Sequence, residues 1–109
     1  VMKQHLHALA IIAWGVAFSA LPVRASWASV ELAQKKACLA CHAIQHHRVG
    51  PAYNLVAQRY GSRPDAVEYL SNSIKNGGGG RWAMGVMPRQ NLTDDEARQL
   101  AEWILSLAN

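Results

Sequence analysis

Two cysteines and a single phenylalanine among 109 residues are the first constraints on this chain. Two cysteines cannot build the disulfide framework that holds small core-poor secreted domains together. The apolar share is 50% and the glycines follow no triplet period, which excludes a disordered or collagen-like chain. The length allows about one domain and leaves no room for a multidomain enzyme with a large substrate cleft. No stretch of four or more residues alternates with β-branched enrichment, so no sheet is expected. Past residue 25 there are nine Lys/Arg against seven Asp/Glu, a net +2 without a basic cluster, which argues against nucleic acid as a partner.

Long apolar runs are also lacking, with one exception. Ala8 to Leu21 carries no charge over fourteen residues, preceded by Lys3 and followed by Pro22 and Arg24. As a helix this run spans ~21 Å, short of the ~30 Å hydrocarbon core. Residues 1–28 therefore read as a secretory signal peptide with small-residue cleavage sites after Ala25 or Ala28. An uncleaved leader would act as a membrane anchor. Either way the remainder, residues 29–109, is expected outside the cytoplasm. About eighty residues rarely bury enough apolar surface to stand alone, so a staple is expected: a metal, a disulfide or a cofactor.

The pattern after the leader is helical. Ser29 is placed to cap a helix over about Val30–His42, and a short helix is expected near Asn54–Tyr60. Ser62 and Pro64 read as the start of a third helix reaching Asn76, with Val67, Leu70 and Ile74 on one face. Thr93-Asp94-Asp95-Glu96 is a capping-box signature with acids at the positive helix end. Ala97, Leu100, Ala101, Ile104, Leu105 and Ala108 mark the inner face that follows. Between these last two helices, Gly77 to Leu92 is irregular, and so long a stretch either packs on something or does the work.

The chemistry sits in Cys38-Leu39-Ala40-Cys41-His42, the C-x-x-C-H haem-attachment signature. Residues three apart share a face at a helix end, so both thiols can reach the vinyl groups along one edge of a haem. The adjacent His42 then turns its imidazole to the iron as the proximal ligand. Three other uses of these residues exist: a zinc module with His46 or His47 as the fourth ligand, a dithiol redox pair, and a plain disulfide. The second zinc knuckle, the βαβ surround and a loop worth closing are all missing.

A group on the opposite face of the iron must come from farther along the chain. His46 and His47 follow His42 by four and five residues, too few at ~3.5 Å each to pass around a plate over ~10 Å wide. Met84 and Met87 lie far enough away, both in the irregular stretch. Met87 is preferred because Pro88 biases it towards extended backbone, and Met84 stays open as the alternative. A thioether raises the reduction potential. A haem protein with an open distal position, serving as a sensor or a catalytic subunit, is the rival reading, and a Cys/His zinc module the more distant one.

Cys38–His42, Val49-Gly50-Pro51-Ala52-Tyr53, Ile74-Lys75-Asn76-Gly77, Trp82, Met87-Pro88 and Asp94-Asp95-Glu96-Ala97 together resemble the short bacterial class I cytochromes c, over about Val30 to Leu107. The resemblance implies an all-α fold of four or so helices around one covalent haem c. It also implies His/Met ligation and one-electron transfer in the periplasm without bond chemistry on a substrate, so not an enzyme. It gives the Pro51 carbonyl the role of accepting the His42 Nδ1 hydrogen bond and places Trp82 against the haem and near a propionate. Expected partners are redox proteins: nitrite reductase, a terminal oxidase or a peroxidase downstream, and a quinol-oxidising complex upstream. Lys35, Lys36, Arg48 and Arg59 are candidates for the rim of a docking patch. Three places depart from the family: Gln90 stands where members often carry Asn, Ser73 where an arginine often reaches a propionate, and Ala83-Met84-Gly85 where a small-residue and proline run is usual.

Overall fold

The computed structural model describes residue 10, residues 12–16 and residues 23–109. Most of the expected signal peptide, residues 1–9, 11 and 17–22, lies outside the described residues. Four α-helices follow in order: α1 (Val23–Lys35), α2 (Tyr53–Tyr60), α3 (Ala66–Asn76) and α4 (Asp94–Leu105), with a 3₁₀ turn at Cys38–Ala40 between the first two. Among the described residues there is no strand, only an isolated antiparallel bridge between Gly78 and Met87. None of their helices is long and apolar enough to cross a membrane.

α4 organises the rest by packing on α1, α2 and, most extensively, α3. Its start is the expected capping box: Thr93 Oγ1 accepts the Glu96 N–H at 3.1 Å, and Glu96 Oε1 accepts the Thr93 N–H at 3.0 Å. These bonds satisfy two amide donors that a helix start leaves unpaired. Thr93's amide above all holds the Glu96 carboxyl below its usual range. Lys36 adds to this at 3.6 Å and also donates to the Asn91 carbonyl at 3.1 Å, tying the end of α1 to the start of α4. The buried face of α4 holds Ala97, Leu100, Ala101 and Ile104 as the spacing predicted. Trp103 joins it, Leu105 is half-buried and Ala108 is exposed.

Three helix boundaries differ from expectation. α1 begins upstream at Val23, so Ser29 sits inside it, buried, instead of capping it. The same helix stops at Lys35 because Ala37 adopts left-handed backbone, φ 59° and ψ 22°, ending the α-ladder before the cysteines. α3 begins at Ala66, not near Ser62. Asp65 occupies its cap position without a side-chain cap bond, its carboxylate being taken by the Arg63 guanidinium at 2.9 and 3.0 Å.

The core gathers Ala33, Tyr53, Val56, Leu70, Ile74, Leu92, Ala97, Leu100, Ala101, Trp103 and Ile104. It does not close on itself. Val56, Leu70, Ile74, Leu100 and Ile104 also line a cleft, so one flank of the hydrophobic interior forms its floor.

Candidate functional site

One wall of the cleft begins at the 3₁₀ turn. There residues i and i+3 stand nearly eclipsed, and Cys38 and Cys41 both reach the cleft, the first half-buried and the second exposed. Burial pushes the Cys38 thiol above its usual range, and burial first, then the neighbouring thiol, raises the Tyr53 phenol strongly. His42 follows, 8% exposed. Its Nδ1 donates to the Pro51 carbonyl at 2.8 Å, which leaves Nε2 as the free lone pair and fixes the ring's orientation. Tyr53 stacks on the imidazole at 4.9 Å with 17° between planes, and Trp103 backs Tyr53 edge-on.

The loop carrying Pro51 is drawn tight by Gly50 N–H to Cys41 O at 2.7 Å and Tyr53 N–H to Ala43 O at 2.9 Å. The imidazole is so close that a Cβ on Gly50 would fall 2.4 Å from its Cε1. Only glycine admits the ring there. Outside this wall, His46 and His47 are both exposed. His47 Nδ1 accepts the Ala52 N–H at 3.0 Å and the ring meets Trp82 edge-on, so it braces the loop and does not face the cleft. Among the described residues no cluster of three or more His, Cys, Asp or Glu side chains could hold a metal ion.

The facing wall is the segment after α3. Gly78 and Met87 exchange both backbone hydrogen bonds at 2.9 Å, and Gln90 N–H reaches Lys75 O at 3.0 Å. Gly77 makes this approach possible: φ is +68°, and a Cβ there would lie 2.3 Å from Met87 O and 2.7 Å from Pro88 C. Met84 and Met87 both line the cleft, each half-buried. Trp82 lines it as well. The Arg59 guanidinium lies 3.5 Å over its ring and Arg59 Nη1 donates to Arg81 O at 2.8 Å, so Arg59 holds the indole.

The rest of the expected set divides. Cys38, Cys41, His42, Pro51, Trp82 and Met87 meet at one cleft. Of the four rim candidates, Lys36 and Arg59 also bond within the fold, Arg48 Nη1 donates to Leu39 O at 3.2 Å, and Lys35 is exposed. Ser73 is on the cleft wall, but its hydroxyl donates to Tyr69 O at 2.9 Å. Gln90 Nε2 donates to Pro88 O at 2.8 Å, bracing the Met87-Pro88 turn from behind. Sequence reading missed Arg59 as the clamp on Trp82 and Tyr53 as the plate behind His42, since neither partner is close in sequence.

Two thiols and an imidazole on one wall and two thioethers on the other, around an apolar slot, form a donor set that fits an iron macrocycle joined through its vinyl groups. The comparisons with known proteins agree. The cytochrome c family model matches residues 29–108. The chain belongs to the cytochrome c family.

This cytochrome is 52% identical over 82 residues to cytochrome c-552 of Hydrogenobacter thermophilus, covering 75% of this chain and 84% of the relative. It is 46% identical over 77 residues to cytochrome c-551 of Pseudomonas denitrificans, covering 71% and 94%. The crystal structure of wild-type Nitrosomonas europaea cytochrome c552 superposes with a TM-score of 0.69 at 42% identity, over 72% of this chain and 98% of that one. The fold is therefore that of the small bacterial class I monohaem cytochromes c. Such a protein carries one covalent haem c through Cys-x-x-Cys-His, here Cys38, Cys41 and His42, and passes electrons to redox partners without being an enzyme.

Proposed function

We propose that Cys38 and Cys41 form the two thioether links, that His42 Nε2 is one axial ligand and that the Met87 sulfur is the other. The observation that carries this is the pairing of two braced donors across one apolar cleft: His42 tied through Pro51 at 2.8 Å, and Met87 tied through two 2.9 Å bonds to Gly78. Haem c supplies the one-electron iron(III)/iron(II) couple, and the protein supplies orientation, polarity and exclusion of water. His42, hydrogen-bonded to the Pro51 carbonyl, keeps its Nδ1 proton and presents the Nε2 lone pair. Apolar side chains such as Leu70 and Leu100 keep water from the cleft floor. With His42 and Met87 both braced, these residues would hold their positions when the charge of a bound group changes, which suits transfer over bond chemistry.

Trp82, held by Arg59, is assigned to the edge of the group, next to the propionates. The cytochrome acts in the periplasm, released by cleavage after Ala25 or Ala28. It works as a monomer between a quinol-oxidising complex and a nitrite reductase, terminal oxidase or peroxidase. Val49, 66% exposed, and Val86, 79% exposed, border the cleft and suit a small transient contact.

The test is holoprotein made in a haem-attachment-competent host. The reduced form is expected not to bind carbon monoxide, and replacing Met87 by His should lower the potential and remove the sulfur-to-iron(III) charge-transfer band. Rapid carbon monoxide binding by the unmodified protein would favour an open-site sensor. N-terminal sequencing of exported protein checks the leader; retention of residues 1–25 would overturn its cleavage.

A further inference from the structure

Between Ala83 and Pro88 four residues are exposed, and two are drawn inward: Met84 and Met87. Both line the cleft that His42 lines from the other wall. Val86, the other bulky apolar side chain of this stretch, also borders the cleft but is left 79% exposed between them. Apolar filling alone would be served by Val86 as well as by methionine; what the two inward residues share is a soft thioether sulfur, a haem-iron ligand.

Their backbones differ in how firmly they are held. Met87 is fixed by its reciprocal pair with Gly78. Met84 donates only to Trp82 O, at 2.8 Å, two residues away. Gly85 joins the two, at φ +91°, with nothing within 4 Å of where a Cβ would stand. It is thus a joint of wide conformational freedom with open space around it. An unbranched methionine with three rotatable side-chain bonds on such a joint covers a wide range of sulfur positions. Its tether keeps the sulfur at an effective concentration on the order of millimolar near the cleft.

We propose that Met84 is a reserve axial ligand, a second sulfur that takes the iron position when Met87 leaves it. The proposal rests on Met87 being the resident ligand. The exchange moves no electrons and no protons: one thioether lone pair is withdrawn and another is donated. It keeps the site closed to small exogenous ligands when the resident sulfur is lost or chemically altered.

The experiment compares Met87→Ala, Met84→Leu and the double variant as holoproteins with covalent haem. The readouts are the sulfur-to-iron(III) charge-transfer band, the rate of carbon monoxide binding to the reduced form, and the ¹³C-methyl methionine spectrum of the reduced form, where an iron-bound methyl is strongly displaced by the macrocycle ring current. Met87→Ala is expected to keep the band and one displaced methyl. The double variant is expected to lose both and to bind carbon monoxide at least about tenfold faster than Met87→Ala. Loss of the band in Met87→Ala, with carbon monoxide binding as fast as in the double variant, overturns the proposal. If Met87→Ala does not fold, Met87→Leu, nearly equal in volume, is read in the same way, alone and with Met84→Leu. Met84→Leu alone separates this proposal from the assignment beneath it: a displaced methyl and band unchanged from the parent protein leave Met87 as resident ligand, and a displaced methyl that moves or vanishes makes Met84 the resident and overturns both.

Discussion

The two walls of the cleft are built on opposite plans. The imidazole wall is nearly continuous with the core: His42 is buried, stacked on Tyr53, which is backed by Trp103, and its loop is pinned at Gly50 and Tyr53. The thioether wall is a loop of glycines and exposed residues, held by one two-bond bridge, one bond to Lys75 and the Arg59 grip on Trp82. Rigidity on one side comes from packing; on the other it comes from a few hydrogen bonds and a close backbone approach. The comparison teaches where mobility resides: opening should start at the loop, where few buried contacts oppose it.

Substitutions at the two tight glycines should break the two walls separately. Gly77→Ala carries the largest expected cost. A Cβ there meets the Met87-Pro88 backbone and must also sit at φ +68°. Overpacking and a glycine-only conformation together cost about 4 kcal/mol. Denaturant unfolding of the holoprotein measures that cost, and carbon monoxide binding to the reduced form should report an opened thioether side. Gly50→Ala should cost somewhat less, about 3 kcal/mol at the upper end of overpacking, because the atom met is a side chain, His42 Cε1. Its signature should be a perturbed imidazole field in the ferric spectrum with the sulfur band retained. If the two variants gave the same spectrum, the division between walls would not hold.

Away from the cleft, the capping box offers a control. Thr93→Ala should lower stability by about 1 kcal/mol and leave both walls' spectra unchanged. The Glu96 carboxyl is depressed in the folded state, so its contribution is full above the ordinary carboxylate pKa and disappears as pH falls through the lower folded value. Glu96→Gln should therefore flatten the acid limb of a stability–pH curve over that window; an unchanged limb would locate the acid sensitivity elsewhere. The smallest effect is a gain. Ala37 holds φ 59° just before the cysteines, and Ala37→Gly should stabilise by somewhat under about 1 kcal/mol, visible as a higher unfolding midpoint.

What could be read in the sequence was local. The attachment motif spans five residues and the capping box four, so their geometry is written in their spacing. The inner face of α4 follows from period alone. What escaped depends on partners far off or on competition. Asp65 could cap α3, but Arg63 takes its carboxylate. Ala37 reads as a helix former, and its left-handed backbone comes from the turn that presents the thiols. Arg59 looked like a solvated charge until Trp82, 23 positions later, came under it. Family resemblance supplied Pro51 and Trp82, which spacing could not.

The interior that opens on the cleft has a consequence for biogenesis. Val56, Leu70, Ile74, Leu100 and Ile104 end at a surface meant to be covered by the prosthetic group, so covalent attachment completes the interior as a keystone completes an arch. Copies that miss this step lack the contacts the group would make with those side chains and should unfold more often. They become the substrates that housekeeping proteases remove first. Assembly and quality control are thus one event, and the pool of this cytochrome is filtered for finished molecules by its own architecture.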